Sequence, residues 1–314
     1  MATTPPTTVV VVARDRWAQT PTTLDLLLAR TDQRHDVVVV DARAPRPVAA
    51  ILDRYAASGR IRVVRRSRHL AANEARNLGA DGAHTEWIAF VENDVVLDDG
   101  WLDTLLAVGE ARGAVSVYPA YLQDGRSGQF VHGLGADLEV SIGEDGVRHV
   151  RERQHHLNRL WHEVATELEP VERIQSEFHA VAIRRELLER IGGLDEELLS
   201  WFDHTDLALH HQRLGAAAWF VPEVTCTYIV PASVSPTDLP SFLLRWSGVW
   251  YERSLDRLCR AWGLDRDDPE WAAHARYRTS VRRSVLTRWP RVNAVIDRAA
   301  VPAERLVASW NARR

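Results

Sequence analysis

The chain has 314 residues, 46% hydrophobic and 26% charged, with a formal net charge of −4. That length can bury one large core, or a large and a small one, and the acidic balance excludes bulk attraction to nucleic acid. All 39 basic residues are arginine, which excludes Schiff-base chemistry and the P-loop ammonium, since both need a lysine.

The chain opens "MATTPPTT", which lacks a basic leader region and reads as a disordered tail over residues 1–7. Strands and helices then alternate. "TVVVVA" (8–13) has the β-branched run of a buried parallel strand, and "TPTTLDLLLAR" (20–30) the apolar stripe of a helix. Strands at 36–42 and 60–66 alternate with helices at 47–57 and 70–83. "EWIAFVEND" (86–94) is a fourth strand, and 99–112 a fourth helix. This order predicts an α/β fold with a doubly wound, mostly parallel sheet that takes ligands at the carboxyl ends of its strands.

Beyond residue 113 the alternation breaks up. A hairpin turning at Glu144-Asp145-Gly146 precedes a polar, His-containing helical stretch around 153–168. Residues 176–199 read as strand, short helix and Gly-Gly break, 203–215 as a helix, and 217–230 as a strand. The division is thus a tail at 1–7, an α/β domain at 8–235 and a helical extension at 236–314. Apolar residues at helical spacing in 245–264 read as core. The Arg-rich tail 271–314 either packs on the domain or lies against an anionic membrane surface. Cys226 and Cys259 make neither a metal-ligand spacing nor a disulfide framework, and no stretch reaches the roughly 20 apolar residues of a membrane span. A protein that is cytoplasmic, or peripheral to a membrane, is expected.

Three strand ends aim polar groups at one edge: Arg14-Asp15, Asp41, and Glu92-Asn93-Asp94. Carboxylates one residue apart can share a hard divalent cation, and such a cation offsets charge on a leaving diphosphate. The plain alternative is a polar strand end followed by a helix capped at Asp98-Asp99. An open Gly-x-Gly-x-x-Gly loop, which a dinucleotide enzyme would carry after the first strand, is absent from "VVVVARDRWAQT". The same stretch lacks the glycines of a sugar nucleotidyltransferase.

From about residue 8 to about residue 230 the chain resembles a family 2 glycosyltransferase of the GT-A fold. "VVVVD" (37–41), "AANEARNLGADGAHTEWIAFVENDVVLDDGWL" (71–102) and "AIRRELLERIGGLDEELLSWFDHTDLALHHQRLG" (182–215) carry the resemblance. It implies an inverting transfer from a nucleotide-diphosphate sugar to a hydroxyl acceptor, assisted by Mn²⁺ or Mg²⁺. Asp41 would hold the nucleobase, and Arg76 and Asn77 would line the nucleotide pocket. Asp94 would ligate the metal, Glu92 would contact the ion or the ribose, and Asp195 and Glu196 would flank the acceptor. The family's Glu-Asp-x-Asp-Leu motif stands here as Asp203-His204-Thr205-Asp206-Leu207. His204 therefore occupies the base position; the alternative makes Asp203 the base and His204 a metal ligand. A second departure puts Tyr228 where many relatives end the later strand in a metal-binding histidine. The acid-His-x-Asp motif, with "SEFHAV" (176–181) and Thr227 to Pro231, also resembles a subgroup of the family. A catalytically degenerate nucleotide-sugar-binding protein is the alternative these departures leave open.

Overall fold

The computed structural model describes residues 4–216, 218–229, 234–286 and 293–312, side chains of 284–300 excepted. Strands Thr7–Val12 (β1), Asp36–Ala42 (β2), Arg62–Arg66 (β3) and Trp87–Glu92 (β4) alternate with helices Thr20–Arg30 (α1), Arg46–Ala57 (α2) and Ala72–Ala80 (α3). The four strands are parallel, and β1 and β4 are buried along their whole length. Strands covered on both faces need continuous apolar runs, which the Val-rich segments supply. Thr7 is already part of β1, paired with Trp87 of the neighbouring strand, and its backbone N–H donates to Nδ1 of His35 (3.1 Å).

β4 does not lead straight into a helix. A short strand, Val95–Leu97 (β5), intervenes before Trp101–Arg112 (α4). The helix-cap reading of Asp98-Asp99 fails: α4 is capped by Gly100 in the left-handed conformation, without a side-chain cap. Asp98 instead accepts from the backbone N–H (2.6 Å) and hydroxyl (2.9 Å) of Thr225.

Ser116–Gly125 (β6), Gly128–Gly133 (β7) and the hairpin Ala136–Ile142 (β8) with Arg148–Gln154 (β9) follow. The polar helix expected around 153–168 is not formed as such. β9 runs to Gln154, and His156 and Asn158 take left-handed φ values of 54° and 63°, which a helix cannot absorb. Only Trp161–Val164 (α5) and a 3₁₀ turn at Ala165–Glu167 remain helical there. Then come Val171–Arg173 (β10), Ala180–Arg184 (β11), Arg185–Ile191 (α6), Asp203–Leu214 (α7) and Ala218–Tyr228 (β12). The extension consists of Leu239–Arg245 (α8), Gly248–Trp262 (α9), Pro269–Leu286 (α10) and Asn293–Ala312 (α11).

Among the described residues the main sheet runs β10-β12-β6-β11-β4-β1-β2-β3, with β5 on β12 and β7 on β6. β11 runs antiparallel between β4 and β6, while β6 and β12 are parallel to each other. One core fills both faces of this sheet. A second gathers Trp201, Phe202, Trp246, Trp250, Tyr251 and Trp271, so the aromatic row of α9 is core as expected. The two are stitched together: Trp246 Nε1 donates to Asp15 (2.6 Å), and Trp262 Nε1 to Asp206 (2.7 Å). The extension therefore packs on the α/β domain, and the membrane reading of 271–314 rests partly on side chains outside the described residues. Among the described residues no helix is long and apolar enough to cross a membrane.

α3 sits close on the sheet because Gly79 has no side chain. A methyl there would strike Val10 Cγ1 and come within 2.9 Å of Val40 Cγ2. Gly79→Ala should lower stability by about 1–3 kcal/mol through overpacking, read as a lower midpoint in chemical denaturation with unchanged slope.

Candidate active site at the carboxyl ends of the strands

Arg76 on α3 is almost wholly buried, at 1% exposure. A guanidinium in that position needs partners, because an unpaired buried charge is prohibitively costly. Its Nη1 donates to Asp203 Oδ2 (2.6 Å) and Asn73 Oδ1 (2.8 Å), while Nη2 lies 3.5 Å from Glu92. Its flat face covers the Phe178 ring at 3.8 Å. One side chain thus ties α3 to the end of β4 and to the start of α7.

The backbone leading into α7 is strained. Ser200 and Phe202, neither of them glycine, hold φ values of 65° and 62°, a cost of about 1–3 kcal/mol each. The loop is held on several sides: Ser200 O accepts from Arg14 (2.9 Å), Ser200 Oγ accepts from Ala72 N–H (3.0 Å), and Phe202 is fully buried. The result is that Asp203 points inward to Arg76 while His204, the next residue, reaches a cavity. His204 Nδ1 lies 3.6 Å from Asp203 Oδ1, and Nε2 lies 3.9 Å from Glu152. Burial disfavours the Asp203 charge, but Arg76 and Arg14 hold its carboxyl well below the usual range. Burial likewise opposes charge on His204, yet Asp203 and Glu152 outweigh it and raise the imidazole to about 9. At neutral pH His204 is therefore mostly imidazolium, not the free base that an unperturbed histidine would be.

The cavity measures about 370 Å³. Arg14, Glu177, His179, Asp203 and His204 line it from the α/β domain, Glu152 from the hairpin, and Trp246, His274 and Tyr277 from the extension. A larger opening of about 880 Å³ lies by Thr8, Val37 and Glu86, at the amino ends of the strands. It lacks the convergent buried charges of the smaller cavity, which is the better candidate.

The acidic triplet is placed differently from expectation. Glu92 Oε1 accepts from Arg14 Nη1 (2.7 Å), and Oε2 pairs with His179 Nδ1 (2.8 Å). Asn93 turns away, donating to Arg16 O (2.9 Å) and Thr20 Oγ1 (2.8 Å). Asp94 lies 3.5 Å from Arg16 Nη1, and burial together with the Glu92 charge raises its carboxyl to about 7. The triplet thus offers a cation one carboxylate, not a pair, and Arg14, Arg16 and Arg76 already stand around it. As arranged, its donor set does not fit a shared divalent ion. The ring nitrogens of His204 lie within 4 Å of Asp203 and Glu152 rather than of the triplet, and this arrangement gives the metal-ligand reading of His204 no support.

The remaining expected residues are tied into the fold. Asp41 accepts from Ala44 N–H (2.7 Å) and from Arg65 Nε (3.0 Å), so it caps the loop after β2. Arg65 is half exposed, while the Asp41 carboxylate it covers is buried. Asn77 does not line the cavity: its amide brackets Leu194, accepting from the N–H (3.0 Å) and donating to the carbonyl (2.8 Å), and it also donates to Glu196 (3.0 Å). Asp195 pairs with Arg257 (2.6 Å). Asp195 and Glu196 therefore clamp α3 and α9 to the Gly-Gly turn and stand off the cavity wall. Nothing but a lone "SEFHAV" hinted at Glu177 and His179, and His132 and Glu152 carried no signal.

This architecture, a mixed and mostly parallel sheet flanked by helices, is GT-A-like. The family model for glycosyl transferase family 2 matches residues 8–192. The chain belongs to that family. No curated protein matches the sequence. Among solved structures it is similar to GalNAc-T7 with UDP, GalNAc and Mn²⁺, with TM-score 0.56 and 16% identity over 89% of this chain. The chain spans 54% of that protein. It is also similar to the mannosyltransferase PcManGT from Pyrobaculum calidifontis with GDP-Man and Mn²⁺, with TM-score 0.51 and 16% identity over 99% of this chain and 76% of that one.

Removing Arg76 leaves Asp203 and Glu92 buried without their shared cation. Arg76→Met should cost about 3–5 kcal/mol in a denaturation experiment, and Asp203→Asn in the same chain should recover part of it.

Proposed function

We propose that the protein transfers a sugar from a nucleotide-diphosphate donor to a hydroxyl group of an acceptor, by one displacement that inverts the anomeric carbon. The observation that carries this reading is the Asp203–His204 pair, anchored behind by Arg76 and facing a cavity walled by Arg14 and Arg245. In the reaction the acceptor oxygen bonds to the anomeric carbon as the bond from that carbon to the diphosphate breaks. The bonding pair leaves with the nucleoside diphosphate, and the acceptor proton passes to Nε2 of His204. Asp203 orients the ring from Nδ1 and stabilises the imidazolium that forms, while itself staying ionised.

Arg14 and Arg245 present fixed positive charge to the leaving diphosphate in a low-dielectric setting, where it acts more strongly than in water. Asp41, released from Arg65, would accept from the nucleobase. The solved relatives hold UDP in one case and GDP-Man in the other, and a uracil or guanine ring each offers an N–H to such a carboxylate. The acceptor enters between His204 and the α10 residues His274 and Tyr277.

Two experiments test this. A thermal-shift screen of UDP, GDP, ADP and dTDP should find at least one that stabilises the protein, by about 2.7 kcal/mol at one hundred times its Kd; a screen with no shift would sink the donor assignment. The pH profile tests the base. His204 must lose its proton to act and holds it up to about pH 9. The rate should therefore rise on the order of tenfold per pH unit below that value. His204→Gln should abolish the rise and lower kcat by about 10²–10⁴-fold. A flat profile between pH 6 and 9, with Asp203→Asn the more damaging change, would transfer the role to Asp203.

A further inference from the structure

Beside His204 the cavity wall carries a cluster that the transfer reading does not use. His132 lies on β7, and Glu177 and His179 lie in the loop before β11. One ligand atom from each falls within 4.8 Å of the other two. Glu177 Oε2 stands 3.1 Å from His179 Nε2 and 3.8 Å from His132 Nε2. Nitrogen and oxygen ligands about 2.0–2.2 Å from one ion need only a small movement of the His132 ring to meet.

Groups that orient the two imidazoles stand beside them. His179 Nδ1 is held by Glu92 (2.8 Å), and His132 Nδ1 lies 3.0 Å from the Gln123 side-chain amide. His179 thus keeps Nε2 for the common point, the arrangement that fixes tautomer and orientation in metal-binding histidines; at His132 the Gln123 amide, whose nitrogen faces Nδ1, must turn its oxygen there to do the same. The loop is pinned by the Tyr121 hydroxyl, 2.7 Å from Glu177 O and 2.8 Å from Ala180 O, donating to one or the other. The Tyr228 ring packs against both imidazoles, with centroids 5.6 Å and 4.8 Å away. The opposite side faces the cavity, since all three residues line it. An ion there would keep open positions toward substrate.

We infer that His132, Glu177 and His179 form a divalent metal site, with Glu92 and Gln123 orienting its histidines. Two imidazoles and one carboxylate select a first-row transition ion such as Zn²⁺, Co²⁺ or Mn²⁺ over Mg²⁺ or Ca²⁺. The assignment also gives Glu92 a role: it serves the metal through His179 rather than by direct ligation, which explains why neither of its oxygens is free. Without an ion the same atoms make a plain charge relay, with His179 bridging Glu92 and Glu177.

The test uses the full chain freed of metal by chelation. Titration with Co²⁺ should give one equivalent of a visible ligand-field band that Zn²⁺ displaces. His132→Gln and Glu177→Gln should each weaken binding by about 100-fold or more, Gln123→Ala by about 10-fold, and Asp94→Asn should leave it unchanged. Absence of a band in the wild type, or loss of it only in Asp94→Asn, overturns the site. Should a variant fail to fold, the wild type alone decides: Cu²⁺ bound at one equivalent should show electron-paramagnetic-resonance splitting from two nitrogens, and fewer than two overturns the assignment. The readout is the ion itself, so failure here leaves the transfer reading standing.

Discussion

The buried pair between Arg76 and Asp203 is the interaction on which the rest depends. A guanidinium with 1% exposure forces carboxylates to gather around it, and those carboxylates sit on three separate elements. α3 brings the arginine, β4 brings Glu92, and α7 begins with Asp203. Such a pair contributes little net stability compared with apolar residues of the same volume. What it supplies is position: the strained turn at Ser200–Phe202 persists because its far end is fixed by this charge. His204 reaches the cavity as a consequence.

The charge arrangement around that pair differs from a simple acidic metal site. Arg14, Arg16, Arg76 and His179 stand against Asp15, Glu92, Asp94 and Asp203, so each buried charge has an opposite neighbour. Asp94 is the exception to full compensation, since burial and the Glu92 charge outweigh Arg16 and raise its carboxyl to about 7. The helical extension is part of the same site. Trp246, His274 and Tyr277 close the cavity from α8–α10, and Arg43 stacks on Trp310 at 3.8 Å while Asn311 bonds both backbone groups of His69 at 2.9 Å. A boundary drawn at residue 235 separates two helical and α/β regions by pattern, yet the working surface belongs to both.

Much of the fold was legible because burial leaves a periodic trace. The Val runs of β1 and β2, the amphipathic α2 and the Gly-terminated α4 and α7 were all placed close to their observed limits. The stretch 153–168 was not, since left-handed His156 and Asn158 leave no trace in hydrophobic periodicity. Among the expected site residues, Asp203 and His204 line the cavity, whereas Arg76, expected in the nucleotide pocket, is buried behind it against Asp203. Asn77, Asp195 and Glu196 share those motifs but serve to clamp elements together, a distinction that spacing alone cannot make.

The sequence by itself determined the α/β order, the family and the presence of acids at three strand ends, because each follows from local pattern along the chain. Only the tertiary structure decided what those acids do. Glu92 is spent on Arg14 and His179, and His204 is held as a cation between Asp203 and Glu152. His132 meets Glu177 and His179 from more than forty residues away. The protonation and partners of a buried group are set by whatever charges fold around it, and that sum is taken over space rather than along the chain.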